Sequence, residues 1–496
     1  MPVFVLTFFV CFSQTNSDEN AFLRDINLLC DSSSQSILQK VGYSQKSIHD
    51  LSLYDYEELS EKVLSYLENN GYPFAEVSIS TSWSDDTIPV YNLVVSKNRH
   101  VTIDSMVVKG SLKIRQSFLW PYLGIRRKGV YSERTVARIS RRLNALPFVA
   151  EAQPSGLSFE NDKTVLYLYL DKRKTNRFDG YIGFQPVSTL SGRLSVTGEL
   201  SLDLQNLFNV GESFSARWYS SERYSQFLSL NVDFPYLFYT RFGVDANFSL
   251  DKHDTSYLNL NYGFGIPYHF FEDCSLRPFF SYNKSQILGN KENIDNVAIA
   301  GFHTLQYGLT LNVSYLDYKY NPRKGLEVML EASAGNRVVD ADANVGDVRG
   351  TNYQLRSRVV GYIPVYKMFT VVLRAQAGTI GGGKSYQNEM YRIGGEQLIR
   401  GFSQNELLAT TYLLYSAEFR YLFGRNSDIH LFLDGGSYER HAHDGYLQDS
   451  PFGFGFGVNV GVRSGIFYFE YALPRQRGNH LSLKTGKVHF GVKAIF

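Results

Sequence analysis

Apolar and polar residues alternate from about residue 177 to the C-terminus, in segments bounded by turn residues. Successive residues of a β-strand point to opposite faces, so a period of two predicts strands with one apolar and one polar face. In the last segment, GKVHFGVKAIF, one face holds Val488, Phe490, Val492, Ala494 and Phe496, and the other holds Lys487, His489, Gly491 and Lys493. An apolar face toward lipid and a polar face toward a lumen would explain both sets.

Sixteen such segments are present, and most are long enough to cross a bilayer as tilted strands of about 9–11 residues. An even strand number is typical of closed bacterial barrels, and closure gives every backbone group a partner that lipid cannot offer. We therefore predict an all-β transmembrane barrel of 16 antiparallel strands over residues 177–496. The segments are 177–187, 192–204, 212–220, 224–233, 239–250, 256–265, 274–287, 304–318, 324–337, 350–363, 367–378, 409–423, 428–437, 452–463, 464–473 and 486–496.

Half-buried strands of a large soluble β-protein alternate in the same way, so the period alone leaves that alternative open. The composition includes 35 Tyr, 36 Phe and 41 Gly but only 3 Cys among 496 residues. Aromatic residues in this number suit the girdles that membrane barrels carry at both interfaces. This composition, together with an N-terminus that resembles a secretory signal, favours the membrane barrel over a soluble β-protein.

The N-terminus, MPVFVLTFFVCFSQTNSDEN, has an apolar run at 3–12 that polar residues follow at once. The run is too short for a membrane-spanning helix, which takes about 20 residues, and it resembles the apolar region of a secretory signal. We predict a signal peptide at residues 1–15, with a buried strand as the alternative. No later apolar run reaches about 18 residues, so membrane-spanning helices are not expected.

The first part of the mature chain mixes helix and strand patterns. DYEELSEKVLSYLENNGYP predicts a helix with Leu59, Val63 and Leu67 on one face, ending at Gly71. The order β-α-α-β-β is complete once between about 100 and 173, and mostly present once before it. We predict two small α+β modules, at residues 21–98 and 99–174, before the barrel.

The chain offers little that could carry catalysis. The 50 basic and 48 acidic residues give no argument for nucleic acid, and nucleophile elbows, dinucleotide or phosphate loops, His-Glu-x-x-His and Cys-x-x-Cys are all absent. His441 and His443 have no obvious third metal ligand, and Cys30 and Cys274 lie in different predicted domains. We predict no enzymatic activity, no metal and no cofactor.

The stretch GGEQLIRGFS, residues 394–403, places Arg400 within a segment of about 379–408 that has neither helix nor strand periodicity. Such a long loop is usually functional, and an enclosed arginine needs carboxylate partners. Alternation on YLLYSAEFRYLF and IHLFLDGGS directs Glu418 and Asp434 into the lumen. The planar guanidinium fork suits such carboxylates, although a solvated loop arginine remains the alternative.

The ordered set of motifs resembles the BamA/TamA superfamily of outer-membrane assembly and translocation barrels. The motifs in this set are IRGF at 399–402, AEFR around Glu418 and FLDGG around Asp434. They also include the turns NLFNVGES, DFPYL and YNPRKG, and the closing FGFGVNVGVRSGIFYFEYALP with a terminal Phe. The N-terminal modules, above all ENNGYPFAEV, are similar to POTRA modules. The resemblance covers roughly residues 50–496.

This resemblance implies a loop-six motif, whose arginine is clamped by Glu418 and Asp434 inside the barrel. Its residues are Ile399, Arg400, Gly401 and Phe402. The resemblance also implies a short, weak seam where the first and last strands meet, and glycines there weaken side-chain packing. The seam residues are Gly180, Gly183, Gly486, Gly491 and Phe496.

The resulting expectation is an outer-membrane protein of a Gram-negative bacterium, with its N-terminal modules in the periplasm. It would receive unfolded β-barrel clients by strand augmentation and insert them at the seam. Its expected partners are these clients and outer-membrane lipid, with accessory periplasmic or lipoprotein subunits as further candidates and no nucleic acid. A two-partner-secretion translocation pore for a secreted protein is the alternative, and a passive porin explains the strands but neither the modules nor the arginine motif.

Overall fold

The structure is a computed structural model of the chain. It describes residues 37, 40–41, 53–84, 88–160, 163–186, 194–220, 225–271, 274–289, 299–318, 321–340, 348–395, 398–403, 405–424, 426–443, 445–462, 465–476 and 486–495. The predicted signal peptide, Cys30 and Phe496 lie outside the described residues. None of the described helices is both long enough and apolar enough to cross a membrane.

Before the barrel the chain forms short helices and strands. In chain order they are α1 (Leu53–Glu68), β1 (Glu76–Ser84), β2 (Ile88–Ser96), β3 (Thr102–Ile103), β4 (Ser105–Lys109), α2 (Gln116–Tyr122), β5 (Gly129–Val130), α3 (Glu133–Ala137), α4 (Ile139–Ala145), β6 (Val149–Glu160) and β7 (Lys163–Lys172). The described residues up to 103, together with 128–137, form one compact unit, and the described residues of 104–127 and 138–495 form the other.

In the first unit, α1 buries the face that the sequence predicts. Leu59, Val63 and Leu67 are at most 1% exposed, and partly buried residues of the antiparallel β1–β2 hairpin pack against them. Gly71 follows the helix with a φ of 94°, a conformation that glycine adopts without a steric penalty. The predicted end of this helix is therefore confirmed.

In the second unit, a three-stranded sheet has the order β4-β7-β6, with β4 parallel and β6 antiparallel to β7. Ile139 and Leu143 of α4 are fully buried. The sequence SERTVARISRRLNALP, at 132–147, predicts one helix with Ser132 as its N-cap, but the structure divides it at Arg138 into α3, which belongs to the first unit, and α4. Ser132 does not cap it through its side chain: the Ser132 hydroxyl donates to Asn69 Oδ1 at 3.0 Å, and that oxygen accepts the N–H of Arg134 at 2.8 Å.

The rest of the second unit is the barrel. Its described strands, with two short strands of a loop, are β8 (Arg177–Pro186), β9 (Leu194–Gln205), β10 (Ser213–Ser220), β11 (Gln226–Phe234), β12 (Val244–His253), β13 (Tyr257–Gly265), β14 (Tyr268–Phe271), β15 (Cys274–Ile287), β16 (Phe302–Leu316), β17 (Gly325–Val339), β18 (Val348–Tyr366), β19 (Phe369–Gly381), β20 (Tyr391–Ile393), β21 (Leu407–Ala409), β22 (Thr411–Gly424), β23 (Ser427–Ala442), β24 (Gly445–Asp449), β25 (Phe452–Val462), β26 (Gly465–Arg475) and β27 (Lys487–Ile495).

Sixteen long strands close the wall, and each overlaps one of the sixteen predicted segments. The short strands β14 and β24 extend single hairpins of this wall. The chain closes on itself where β27 pairs antiparallel with β8. The predicted sixteen-stranded antiparallel barrel is confirmed.

The barrel wall is apolar outside and polar inside. On β22 and β23 the outward Tyr415 and Leu431 are 54% and 62% exposed, whereas the inward Glu418 and Asp434 are 4% and 1% exposed. A water-soluble protein arranges these residue types the other way round. Lipid around the wall and a polar lumen satisfy both faces.

Connections alternate between the two ends of the barrel. We call the end that holds Arg177 the near end, and the turns 206–212, 235–243 and 317–324 lie there. At the far end, residues 382–410 join β19 to β22 and are called loop six below. The expectation that this segment has no regular structure is wrong: it contains a 3-10 turn at Gln387–Glu389 and the β20–β21 pair, elements too short to give a periodic pattern.

A charge on the outer wall should destabilise the barrel more than the same charge in the lumen. Leu309, near the middle of β16, is 51% exposed on the outer face. We expect Leu309→Arg to cost about 2–4 kcal/mol of unfolding free energy in vesicles, because the cation enters hydrocarbon. Urea unfolding measures this, with the lumen-lining Gln354→Arg as the matched control. Equal costs for the two variants would contradict the lipid-facing assignment.

Candidate functional site

Strands β22 and β23 present polar side chains to the lumen at matching heights. Ser416 on β22 lies directly opposite Asp434 on β23, and Glu418 lies two residues further along β22. All three are buried, while the residues between them along each strand face outward. Strand alternation therefore builds a pocket of acceptors on the inner wall.

Arg400 of loop six fills this pocket. Its Nε and Nη2 donate to Asp434 Oδ2 and Oδ1, both at 2.8 Å, so the pair is bidentate. Nη1 donates to Glu418 Oε2 at 3.2 Å, and Nη2 also donates to Ser416 Oγ at 3.1 Å. The Arg400 backbone N–H donates to Asp434 Oδ2 at 2.9 Å, so the main chain is held as well as the side chain. The structure thus brings together Arg400, Glu418 and Asp434.

The surroundings of Arg400 keep it charged although it is 4% exposed. Burial by itself disfavours the cation, but the Asp434 hydrogen bonds and the nearby carboxylates outweigh burial and raise the pKa of Arg400. The guanidinium carbon also lies 3.6 Å from the centre of the Phe432 ring, a cation–π contact. Removing the arginine would leave the buried Asp434 carboxylate without its cation, although Glu418 would still pair with Arg420.

The residues beside Arg400 fix the loop by packing. Ile399 and Phe402 are at most 2% exposed, within an apolar cluster that also contains Ile393, Leu407, Ala409, Leu414 and Tyr438. Gly401 has a φ of 94°, which few other residues tolerate. Gly453 on β25 lets the loop approach the wall, because a Cβ there would lie 2.2 Å from the Arg400 carbonyl oxygen.

The network extends to residues that sequence reasoning missed. Glu470 of β26 has Oε1 at 3.9 Å from Arg400 Nη1 and at 3.2 Å from His430 Nε2. His430 Nδ1 lies 2.9 Å from Asp428 Oδ1. Both ring nitrogens face carboxylates, which only accept, so the doubly protonated imidazolium fits this position. Strand alternation gives His430 the same inward face as Asp434, but no sequence signal connects it with Glu470.

Loop six has a second anchor on another part of the wall. The Asn388 side-chain amide donates to Ser285 Oγ at 2.6 Å and to the Ala300 carbonyl at 2.7 Å. Glu389 pairs with Arg337 at 3.0 Å. These contacts reach β15 and β17, so the loop crosses the lumen between two groups of strands. No motif in the sequence indicated this anchor.

A third contact joins loop six to the last strand. Lys487 Nζ donates to Ser403 Oγ at 2.6 Å and lies 2.9 Å from Glu406 Oε2. Burial opposes the charge on Glu406, but the Lys487 hydrogen bond and the Ser403 backbone N–H outweigh it and lower the Glu406 pKa. The loop that holds Arg400 therefore also touches the far end of β27.

The seam between β27 and β8 is short. Its ladder consists of the pairs Lys493–Asp179, Ala494–Phe178 and Ile495–Arg177. The neighbouring ladders are much longer, with ten pairs between β8 and β9 and eight between β26 and β27. In the described chain, the seam ladder therefore covers only the near-end part of both strands.

Four of the five seam residues expected from the sequence are described. Gly180 and Gly183 lie on β8 just beyond the seam ladder and pair with β9. Gly491 lies on β27 and pairs with Tyr468, and Gly486 precedes that strand. All four therefore lie beside the part of the seam that has no ladder pairs.

The described residues include no group of three or more His, Cys, Asp or Glu side chains placed to hold a metal ion. His443 stacks on Tyr386 with ring centroids 4.2 Å apart. Cys274 is a free thiol.

A model described as the Omp85 superfamily domain matches residues 193–495, more than half of the chain. The chain belongs to the Omp85 superfamily. This Omp85 protein is thus an outer-membrane β-barrel that a small α+β region precedes. The family comprises transport and assembly barrels that act on proteins and are not enzymes.

Solved structures share the fold of this Omp85 chain. CdiB from Escherichia coli has a TM-score of 0.60 at 14% identity, over 98% of this chain and 93% of that chain. CdiB from Acinetobacter baumannii has a TM-score of 0.59 at 11% identity, over 97% and 91%. BamA from Haemophilus ducreyi, lacking POTRA domains 1–3, has 0.48 at 14% identity, over 96% and 100%. At identities this low, the two CdiB structures show a shared fold alone. No curated protein matched the sequence.

Replacing Arg400 should loosen loop six and weaken this Omp85 barrel. We expect Arg400→Ala to cost about 3–5 kcal/mol, because it leaves Asp434 buried without the cation that pairs with it, whereas Glu418 keeps its pair with Arg420. The temperature at which the barrel loses its compact mobility on gels should fall. The control is Lys487→Ala, which removes a partly exposed pair of the same loop and should cost about 0–1 kcal/mol. Unchanged heat resistance and full activity of Arg400→Ala would contradict the clamp.

Proposed function

We propose that this Omp85 protein is an outer-membrane protein assembly factor. It receives unfolded β-barrel clients by strand augmentation and inserts them at the seam between β8 and β27. The observation that carries this proposal is the three-pair ladder at that seam, beside neighbouring ladders of eight and ten pairs.

The energetic argument starts from the exposed strand edges at the seam. Beyond Gly180 on β8, and before Lys493 on β27, the described strands continue with no ladder pairs between them. Lipid offers no partner to peptide groups, and each unsatisfied group in hydrocarbon costs several kcal/mol. A client strand that pairs with either edge satisfies both chains. The free energy then comes from client folding, and no nucleotide or covalent step is required.

The N-terminal region offers edges for an earlier stage of capture. In the described residues, β1 and β2 form a two-stranded sheet, and β6 is an edge of the β4-β7-β6 sheet. An extended client segment adds to such an edge through main-chain hydrogen bonds, which tolerate many sequences. We propose that clients pair there before they reach the barrel.

In this mechanism Arg400 is structural. It anchors loop six inside the lumen, and it performs no chemistry on the client. Through Ser403 and Glu406 the same loop holds Lys487 at the far end of β27. Together with the near-end ladder, this contact positions the closing strand at both ends while the stretch between them stays available for pairing.

A second candidate function is a two-partner-secretion translocation pore. CdiB is a transporter of that kind, and both CdiB structures match more than nine-tenths of this chain. The secreted partner would then cross the lumen, and loop six would have to leave it. The two functions differ in which proteins disappear when this chain is lost.

Locking the seam should block assembly. Continuing the register from Lys493–Asp179 places position 492 opposite position 180, so Gly180→Cys with Val492→Cys should form a cross-link. We expect the oxidised protein to lose client assembly and to regain it on reduction. The matched control is Phe467→Cys with Val492→Cys, which locks the established β26–β27 pair and should leave assembly intact. Normal assembly by the locked seam variant would contradict the mechanism.

Depletion of the protein distinguishes the two candidate functions. We expect a general loss of outer-membrane barrels, measured as their abundance in isolated outer membranes, because many clients need the same seam. Loss of one secreted protein with unchanged barrels would instead establish the translocation pore. Altered solute uptake with neither loss would indicate a passive porin and would contradict both candidates.

A further inference from the structure

The near-end turn between β11 and β12 has a strained backbone. Phe238 and Tyr239 have φ values of 49° and 63°, and the Thr240 N–H donates to the Leu237 carbonyl at 2.8 Å. Positive φ at both central residues is the type I′ pattern, which favours Asn-Gly because bulky side chains fit it poorly. This turn therefore holds two aromatic residues where small or flexible residues would be more stable.

Packing within the protein does not explain these two aromatic residues. Phe238 is 85% exposed and Tyr239 is 61% exposed. The other described non-glycine residues with positive φ are Asn, Asp or Lys. Strain that is kept at an exposed aromatic tip indicates a partner outside the folded chain.

The opposite side of the turn is covered. Tyr236 is 6% exposed, and its ring lies 5.6 Å from Phe118 and 6.1 Å from Tyr122 of α2, both in edge-to-face contact. These residues belong to the same compact unit as the barrel. The turn is thus supported from one side, and its tip points away from that support.

The exposed side continues the outer wall of the barrel. Every second residue from β13 into β14 is apolar or aromatic, namely Tyr262, Phe264, Ile266, Tyr268 and Phe270. Phe242, which is 50% exposed, contacts Tyr268 with ring centroids 4.7 Å apart and ring planes tilted by 53°. The lipid-facing surface therefore leads along this file to the tip of the turn.

A cation lies at the same edge. Arg241 Nη1 donates to the Phe270 carbonyl at 2.8 Å, which places the guanidinium between the turn and the aromatic file. Aromatic residues with a nearby arginine suit the headgroup region, where rings meet acyl chains and cations meet phosphates. Continuity with the lipid-facing wall favours lipid over a protein partner.

We propose that Phe238 and Tyr239 form a membrane-inserting tip at the near end of the barrel. The two rings enter the interface between headgroups and acyl chains of the adjoining leaflet, and Arg241 faces lipid phosphates. The strain of the type I′ turn is offset by this insertion and is unrelieved when lipid is absent. The tip lies on strands four and five of the barrel, away from the seam, so the proposal does not depend on the proposed function.

Lipid contact is tested directly with Phe238→Trp in the full chain, folded into phosphatidylethanolamine and phosphatidylglycerol vesicles. The parent protein, which has 3 tryptophans, supplies the background emission to subtract. We expect lipids brominated near the headgroup end of the acyl chain to quench most of the added emission. Emission that these lipids leave unchanged would place the tip in water or on a protein partner and would overturn the proposal.

The strain argument is tested with the double variant Phe238→Asn and Tyr239→Gly, whose residues suit a type I′ turn. In detergent without bilayer we expect its apparent Tm to rise by about 2–4 °C as strain is relieved. In vesicles we expect the opposite sign, a smaller folded fraction than the parent, because the rings are gone. Lys367→Asn, at another near-end turn with positive φ, is the matched control and should not reduce folding into vesicles. Changes of the same sign in detergent and vesicles would overturn the proposal.

Discussion

A bilayer provides no hydrogen-bond partner for a peptide group, and this constraint governs the whole barrel. Fifteen of the sixteen junctions between long strands follow from chain neighbours folding back on one another, but the junction of β27 with β8 joins the two ends of the barrel sequence. Among the described residues, that junction is also the shortest of the sixteen, with three ladder pairs. Few backbone hydrogen bonds therefore close the barrel. The strand edges at this junction lack ladder partners over most of their described length, and a strand of a second protein chain could pair with them.

Loop six lies inside the lumen of the barrel and contacts its inner wall. The loop enters the polar lumen, where its charged side chains pair with charged side chains of the wall. Arg400 meets Asp434 and Glu418 on one part of the wall, and Asn388 meets Ser285 on another. Because β22, β23, β15 and the far end of β27 all contact the same loop, the loop connects distant strands to the strand that closes the barrel.

The near-end turn shows the same constraint from the lipid side. Phe238 and Tyr239 are unfavourable both for the backbone they adopt and for water, and an apolar surrounding removes the second disadvantage and offsets the first. The wall residues obey the same rule without strain, since Leu431 and Leu309 lie outward beside inward acids and amides. The lipid around the barrel therefore determines which residue types are energetically favourable on its outer surface.

The sequence by itself determined the elements whose signal is local. Alternation located the sixteen strands and the inward faces of Glu418 and Asp434, and the helical period located Leu59, Val63 and Leu67, because side-chain direction follows from backbone geometry alone. Short elements such as β20 and β21 escaped, since three residues show no period. The contacts of Arg400 with Glu470, of Asn388 with β15 and of Lys487 with Glu406 were decided only by the tertiary structure. They join strands and a loop that come together when the barrel closes, and no local pattern records which residues closure brings face to face.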